Sequence, residues 1–288
     1  MSELLALPLA REQFIDYLKK QKRSTSTILA YGKDIEQMMT FLEKEKITQA
    51  GTVTSTLLEA FKKELTDNKY TLKSVSRKLN SIKTFFKFLK NENLVEEDPS
   101  LSVSHPKYDS KAPRILSRIE YRALRDSCRE DIRMAAIVEL LLQTGIRIGE
   151  LARLEEDDIK GLEITIRSFE SQPERTIPLN KAAKSALDSY LKLRPQTKSK
   201  AIFVTKTGKP LLVRNIRTVI DRYFKEADIE NAKVNDLRNT WLAHHLCAGT
   251  SVVLLSKLAG HKRLSTTEKY LQFVKETLGE SKVKLDEL

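Results

Sequence analysis

A proline-rich break lies about one third of the way along the chain and limits how the rest can fold. Three prolines, Pro99, Pro106 and Pro113, fall in a stretch with few apolar residues. Proline lacks the N–H group that a helix interior needs, so the chain from Glu96 to Pro113 cannot continue a helix. At 288 residues the chain is also long for a single core. The break therefore predicts a first domain, a linker and a second domain, at residues 1–106, 107–113 and 114–288.

Before this break, apolar residues recur with the spacing of amphipathic helices. Ser24 and Thr25 offer hydroxyl caps at the start of one such helix. The pattern predicts a small bundle of about four helices, whose apolar stripes lie at residues 10–22, 28–42, 57–65 and 75–89.

After the break the pattern is mixed but mainly helical. Two helices, at 118–127 and 132–144, are predicted first, and Gly145 ends the second of them. Apolar and polar residues then alternate from Leu162 to Ile166, and a similar run resumes at Arg175 after the turn-like sequence FESQPE, which predicts a β-hairpin. Further helices are expected at 181–193 and 213–227, and up to residue 278 with breaks at Gly249 and Gly260. The fold class is therefore mainly α with a small hairpin or sheet.

Four side chains in this second part form a chemically useful set. Arg147 lies in TGIRIGEL and Arg238 in NDLRNTW, while His261 follows Arg238 by 23 residues and Tyr270 follows His261 by nine. A phenol with a pKa near 10 is a weak nucleophile at neutral pH and needs cationic or proton-accepting neighbours. Arginine forks can hold phosphate oxygens, and imidazole titrates near neutral pH. The set suits transfer of a phosphoryl group from DNA to the tyrosine oxygen.

In order and separation, these motifs resemble those of the tyrosine recombinases, the site-specific integrases and Xer-type enzymes in particular. The resemblance covers nearly the whole chain. It implies an N-terminal helical, SAM-like core-binding domain and a C-terminal catalytic domain. It also implies that Tyr270 attacks DNA to form a covalent 3′-phosphotyrosine intermediate while Arg147, Arg238 and His261 contact the phosphate. No metal or cofactor is required by this scheme.

Two features depart from the family pattern. The family places a lysine in the hairpin turn, where it protonates the departing 5′ oxygen, but residues 167–174 contain no lysine and Glu170 lies near that position. Arg167 and Arg175 are the candidate replacements, although arginine gives up a proton far less readily than lysine.

Asn235 stands where the family commonly has histidine, as does Asn239. We keep Asn235 among the candidate catalytic residues because its amide can donate a hydrogen bond, although it cannot shuttle a proton.

The resemblance further implies that the first domain forms one half of a clamp around DNA. The hydroxyl and basic residues of Arg23 to Thr27 and of Lys73 to Lys83 would then contact phosphates and base edges. Without that context, such residues more often form a solvated helix surface. The candidate DNA-binding residues are Arg23, Ser24, Thr25, Thr27, Lys73, Ser76, Arg77 and Lys83.

Composition agrees with a nucleic-acid partner. The formal net charge is +12, as expected for a chain that approaches a polyanion, although a basic surface also occurs without such a partner. No apolar run is long enough to span a bilayer, and the N-terminus lacks a signal-peptide pattern. Cys128 and Cys247 lie far apart and form no metal-binding spacing. We expect a soluble, cytoplasmic protein with reduced thiols.

The resemblance implies double-stranded DNA with a specific recombination site as partner, and a homotetramer on DNA from a chain that is monomeric alone. The tail from Val274 is either a loose surface segment or docks on a neighbouring protomer.

Two other functions stay open, namely a DNA-binding homologue that has lost activity and a strand-relaxing enzyme of the type IB topoisomerase kind. Each site residue also has a structural alternative: Arg147 could pair with Glu150 or Glu139, Arg238 with Asp236 or Glu230, and Tyr270 could be a core residue. Glu150 is expected to orient an arginine.

Overall fold

The structure is a computed structural model that describes residues 5–109, 112–170 and 172–273. The chain divides into two compact units, residues 1–110 and 111–288. Helices dominate both, and the second unit adds a small antiparallel sheet. The predicted fold class is therefore confirmed.

In its described residues the first unit is a bundle of four α-helices, and capping hydroxyls set the starts of three of them. Ser24, Thr54 and Thr71 each accept a hydrogen bond from the backbone N–H three residues later, as an N-cap does. A core of aromatic and aliphatic side chains, with Phe14 and Phe85 packed edge to face, lies between the helices. The helices are α1 Leu7–Lys20, α2 Thr25–Lys44, α3 Ser55–Asp67 and α4 Leu72–Asn91.

The irregular chain after α4 packs onto this bundle. Val95 and Val103 are buried in its core, and His105 Nδ1 lies 3.1 Å from the hydroxyl of Ser76 on α4. Proline keeps this segment from forming a helix without preventing its apolar side chains from being buried. Residues up to His105 therefore belong structurally to the first unit.

A buried carboxylate joins α2 to α4. Asp34 on α2 is 2 % exposed and accepts four hydrogen bonds from α4. Two come from Arg77 (2.6 and 2.9 Å), one from Lys78 (3.0 Å) and one from Ser81 (2.7 Å). Burial by itself would raise the pKa of Asp34, but these hydrogen bonds outweigh it and lower the pKa below its ordinary value. Asp34 is thus an ionised cross-link between the two helices.

We predict that Asp34→Ala destabilises the first unit by about 3 kcal/mol, because it leaves the buried Lys78 ammonium without a carboxylate and with Gln37 as its remaining acceptor. Urea denaturation at pH 7 measures this loss. Since the pKa of Asp34 is lowered on folding, the stabilisation is present at neutral pH and is lost as pH falls through the carboxyl range. Asp16→Ala, which removes an exposed carboxylate paired with Lys19, is the matched control and should leave the midpoint unchanged. Equal midpoints for Asp34→Ala and the parent chain would refute the prediction.

In the second unit, other helices and a small sheet pack around an apolar helix at residues 132–144. Among the described residues of this unit, the strands β1 Ile159–Lys160, β2 Glu163–Ile166 and β3 Arg175–Pro178 form one antiparallel sheet in this order, with Ile164 opposite Ile177. The hairpin predicted from sequence is β2 and β3, while the two-residue β1 was not predicted. The elements are α5 Arg118–Ser127, α6 Ile132–Thr144, α7 Ile148–Leu151, β1 Ile159–Lys160, β2 Glu163–Ile166, β3 Arg175–Pro178, α8 Lys181–Leu193, α9 Val213–Glu226, α10 Val234–Cys247, α11 Val252–Ala259 and α12 Ser265–Glu268.

Gly145 brings the end of α6 against α10. Its φ of +61° is the left-handed conformation that ends the helix, and a Cβ at this position would lie 2.1 Å from Cε3 of Trp241 on α10. Both the backbone conformation and the close packing therefore require glycine. This contact places Arg147, at the start of α7, and Arg238, on α10, in the same region.

Among the described residues, no helix is both long and apolar enough to cross a membrane. The predicted docking tail from Val274 lies outside the described residues.

Candidate active site

Three arginines meet at the C-terminal end of α11. The last carbonyls of a helix lack partners within it and carry the negative end of the helix dipole, so they attract cationic donors. Here three consecutive carbonyls each accept one hydrogen bond from a different guanidinium group. The bonds run from Arg175 Nε to Leu258 O (2.8 Å), from Arg238 Nη2 to Ala259 O (2.6 Å) and from Arg147 Nη2 to Gly260 O (2.7 Å).

Glu150 links two of these arginines. It lies in α7, is 6 % exposed, and its carboxylate accepts two hydrogen bonds from Arg175 (3.0 and 2.7 Å) and one from Arg147 Nη1 (2.8 Å). The backbone N–H of Arg147 donates to the same carboxylate. Burial opposes ionisation, but the hydrogen bonds and charges of the two arginines lower the pKa of Glu150 to about 2. Glu150 therefore orients arginines, as the sequence suggested.

Arg238 is the most buried of the three arginines. It is 5 % exposed and donates to the carbonyl of Gly145 as well as to Ala259. It pairs with neither Asp236 nor Glu230, so that structural alternative is wrong. Burial and then repulsion by Arg147 lower the pKa of Arg238 to about 9, which leaves the guanidinium charged at neutral pH. Among the described residues no carboxylate forms an ion pair with it, so its charge is available to an anion.

His261 follows the arginine-binding carbonyls directly. Its Nδ1 lies 2.8 Å from the hydroxyl of buried Thr267, while Nε2 has no hydrogen-bond partner among the described residues. Burial, then repulsion by Arg238, Arg147 and Arg175, lowers the pKa of His261 to about 4. The imidazole is therefore neutral at pH 7 and can accept a proton or a hydrogen bond at one ring nitrogen.

The Tyr270 hydroxyl is held by α10. Tyr270 is 8 % exposed and donates a 2.7 Å hydrogen bond to Asn239 Oδ1. Asn239 is itself fixed, because its amide donates to Asp236 Oδ1 (3.0 Å) and to the carbonyl of Arg114 (3.3 Å). Burial raises the pKa of Tyr270, while the charge of Arg238 lowers it in part. The phenol is thus protonated, and its ring packs in an apolar cluster with Trp241.

The structure brings some predicted residues together and separates others. Arg147, Arg238 and His261 surround the end of α11. Asn235 instead donates to Asn239 Oδ1 (3.1 Å), the oxygen that also accepts from Tyr270. Sequence reasoning did not assign Asn239 a contact with the tyrosine. One signal was available, since Asn239 immediately follows Arg238 on the same helix.

Neither candidate replacement for the missing hairpin lysine is free. Arg175 is bound to Glu150 and to the end of α11, and its side chain is 8 % exposed. Arg167 donates to Glu155 and to the carbonyl of Arg153, and it also pairs with Asp158. Both guanidinium groups are therefore committed to protein partners in this structure.

The candidate DNA-binding residues of the first unit differ in accessibility. Arg23, Thr25 and Lys73 are exposed. Ser76 is 8 % exposed and faces His105. Its hydroxyl was expected on the surface but is buried. Arg77 is half exposed although it binds Asp34. The remaining members are partly buried, and they are Ser24, Thr27 and Lys83.

Comparison with known families matches both units. The phage integrase family model covers residues 114–276, and the model of the phage integrase N-terminal SAM-like domain covers residues 12–93. The chain belongs to the phage integrase family. It is a tyrosine recombinase enzyme, and its membership supports a role in site-specific recombination.

Relatives and solved structures agree over nearly the full chain. The tyrosine recombinase XerC of Anoxybacillus flavithermus is 32 % identical over 280 residues, which is 92 % of this chain and 93 % of the relative. The fold is similar to the Tn1549 transposon integrase in complex with a circular intermediate DNA (TM-score 0.78, 16 % identity, 95 % and 99 % of the two chains). It is also similar to a lambda integrase tetramer bound to a Holliday junction (TM-score 0.75, 17 % identity, 90 % and 78 %).

We predict that His261 titrates with a midpoint near pH 4 in the DNA-free protein, followed by NMR of the imidazole. Because this pKa is depressed from an unfolded value of about 6.5, the unfolded state binds more protons between those values. The contribution of His261 to stability is therefore lost as pH falls from about 6.5 to 4. His244 is the internal comparison, since its pKa is lowered by burial and by Arg118 rather than by this arginine cluster. A His261 midpoint at or above 6.5 would contradict the cluster's electrostatics.

Proposed function

We propose that this protein is a site-specific DNA recombinase that cuts and rejoins strands through a covalent 3′-phosphotyrosine at Tyr270. One observation carries the proposal: Arg147 and Arg238 meet beside neutral His261 at a helix end, where carbonyl oxygens accept the hydrogen bonds that phosphate oxygens would take. Guanidinium groups can bind phosphate oxygens through paired N–H groups, and they stay charged without proton transfer.

In the proposed step, the Tyr270 oxygen attacks a backbone phosphorus. An O–P bond forms to the tyrosine and the P–O5′ bond breaks, so the DNA stays joined to the enzyme through its 3′ phosphate. The phenol proton passes to the neutral imidazole of His261 or to water, and the 5′ oxygen takes a proton from water. Arg147 and Arg238 hold the non-bridging oxygens, where negative charge grows. The phosphodiester energy is kept in the new link, so no nucleotide is consumed.

Attack requires Tyr270 to leave Asn239. A phenol that donates a hydrogen bond and has a raised pKa is a poor nucleophile, and the same contact buries the ring. The described conformation therefore corresponds to a resting state. Asn235 donates to the same Asn239 oxygen. It would help to keep Tyr270 in this resting position and would not contact the phosphate.

The proposed partner is double-stranded DNA carrying a specific recombination site, on which the chain acts as a homotetramer. The net charge of +12 and the DNA-bound integrases of the same fold support this partner. We propose a first domain at 1–106, a linker at 107–113 and a catalytic domain at 114–288. The proposed contacts of the first domain, which omit Ser76, are Arg23, Ser24, Thr25, Thr27, Lys73, Arg77 and Lys83.

Two specific observations favour a second function, that of a DNA-binding homologue without strand cleavage. The hairpin lacks lysine, and the tyrosine is buried against Asn239. A strand-relaxing enzyme would share the proposed chemistry without needing paired sites. Covalent capture and strand exchange separate these functions.

We predict that the wild-type protein becomes covalently linked to DNA and that Tyr270→Phe does not, because the variant lacks only the attacking oxygen. Fragmented genomic DNA is incubated with each protein, denatured, and recovered with the protein for sequencing. A nicked duplex built on the recovered sequence then traps the intermediate. The short fragment that carries the freed 5′ hydroxyl diffuses away, so the strand cannot be rejoined. Tyr121→Phe is the matched control and should react like wild type. Tight DNA binding without any adduct would leave the non-cleaving homologue as the function.

Strand exchange between two recovered sites would distinguish a recombinase from a relaxing enzyme. Two duplexes of different length that share the site are mixed with the protein, and recombinants of new length are expected. Relaxation of a single-site plasmid without such products would refute recombination but keep the phosphotyrosine chemistry.

We predict that DNA affinity falls steeply with salt, because each phosphate contact releases condensed counterions. Lys73→Ala should weaken binding similarly on all sequences and reduce the slope of log affinity against log salt by about 1. Lys46→Ala, a lysine just beyond α2 that is outside the proposed set, is the control and should keep the wild-type slope. Affinity that does not change between low and moderate salt would refute phosphate tracking.

A further inference from the structure

Arg153 lies just beyond α7 with its charge uncommitted. Its guanidinium carbon is 3.8 Å from the centre of the Phe169 ring, which belongs to the turn between β2 and β3. The residue is exposed, and among the described residues its side chain forms no hydrogen bond or ion pair. Stacking on an aromatic face fixes a guanidinium while leaving its N–H groups free to donate.

The neighbouring arginines are already bound. Arg147 and Arg175 donate to Glu150, and Arg167 donates to Glu155. Arg153 therefore differs from the other cations of this part of the described structure in having five N–H donors without a protein acceptor. Such a group is ready to bind an oxyanion.

Arg153 also lies beside Glu150, the carboxylate that binds Arg147 and Arg175. It lines a cavity of about 420 Å³ together with Glu150, Arg167, Ser168 and Phe169. Its Nη1 lies 3.6 Å from where a Cβ of Gly149 would stand, so the guanidinium folds back along α7 towards the end that carries Arg147.

The carboxylates nearby do not neutralise Arg153 by contact. Glu150 and Glu170 are within electrostatic range of it, and Arg167 repels it. Glu150 is committed to Arg147 and Arg175, and Glu170 has no ion pair with Arg153. A phosphate group that enters this cavity would be repelled by the carboxylate of Glu170. The positive charge of Arg153 is needed to offset that repulsion.

We propose that Arg153, held by Phe169, contacts the DNA strand at cleavage and donates hydrogen bonds to the departing 5′ oxygen. This inference rests on the proposed function. Arg147 and Arg238 account for the non-bridging oxygens, which leaves the charge that develops on the leaving oxygen without a donor. As the P–O5′ bond breaks, its electron pair stays on the 5′ oxygen, Arg153 keeps its protons, and water supplies the proton that completes the hydroxyl. Arginine serves as a charge-stabilising donor here, since it seldom releases a proton.

The test compares two nicked substrates under single-turnover conditions. One has the ordinary 5′ oxygen at the cleavage point and the other has sulfur there, a leaving group that needs little help because a thiolate is far more stable than an alkoxide. We expect Arg153→Ala to cleave the oxygen substrate on the order of 100-fold more slowly than wild type, as for loss of one oxyanion donor. On the sulfur substrate it should react within a few-fold of wild type. Phe169→Ala should show the same pattern with a smaller loss.

Arg129→Ala is the matched control, because Arg129 is an exposed arginine of the second unit that pairs with Asp126 and does not line this cavity. It should cleave both substrates in the wild-type ratio, and circular dichroism checks that each variant folds. The inference is overturned if Arg153→Ala matches wild type on the oxygen substrate, or if it is equally slow on both substrates. Failure of the wild-type protein to form an adduct even with sulfur is a different result, which refutes the proposed function itself.

Discussion

The end of helix α11 is the constraint on which the candidate active site depends. Three guanidinium groups placed side by side repel one another, yet here they share three consecutive carbonyls at the negative end of a helix. Gly260 makes this possible in two ways. Its φ of +65° ends the helix, and a Cβ there would lie 2.8 Å from Cζ of Arg175. The helix end therefore gathers the cations, and the buried carboxylate of Glu150 supplies the balancing charge.

The same electrostatics set the protonation states of the site. The arginines that lower the pKa of Glu150 also disfavour a charged His261, so a carboxylate and a neutral imidazole lie close to the same cluster. Tyr270 remains a protonated phenol on Asn239. In the proposed mechanism the incoming phosphate brings the negative charge that the cluster lacks. Its oxygens would replace the carbonyls as acceptors for the arginines. The new hydrogen bonds would be stronger because they are charge-assisted.

Much of the fold was predictable because local patterns determine it. Helices α5, α6 and α8 begin and end at the predicted residues, with Gly145 ending α6, and β2 and β3 follow the predicted alternation. Strand β1 has only two residues, too few to show a period. Ser76 was misplaced because a small hydroxyl on an amphipathic helix can be buried when a partner such as His105 is near. Spacing on one helix cannot reveal that partner.

The site was predictable only in part. Family resemblance proposed Arg147, Arg238, His261 and Tyr270 as candidates, and no local pattern determines where they lie relative to one another. The role of Glu150 as a partner of arginine could be anticipated from its position three residues after Arg147. The commitment of Arg175 to that carboxylate and the contact of Asn239 with Tyr270 depend on how distant segments pack. Those contacts are long-range in sequence, so only the folded structure shows them.

The central claim is that the end of α11 gathers three arginines while one ionised, buried carboxylate holds two of them, Arg147 and Arg175, and the titration of Glu150 tests it most directly. The carboxyl carbon shift of Glu150 can be followed by NMR as pH is lowered in the DNA-free protein. The account predicts that Glu150 stays ionised well below pH 4.5, towards its pKa of about 2, for as long as the second unit remains folded. A midpoint at or above 4.5 in the folded protein would show that the arginines are not held by this charge, and would contradict the account.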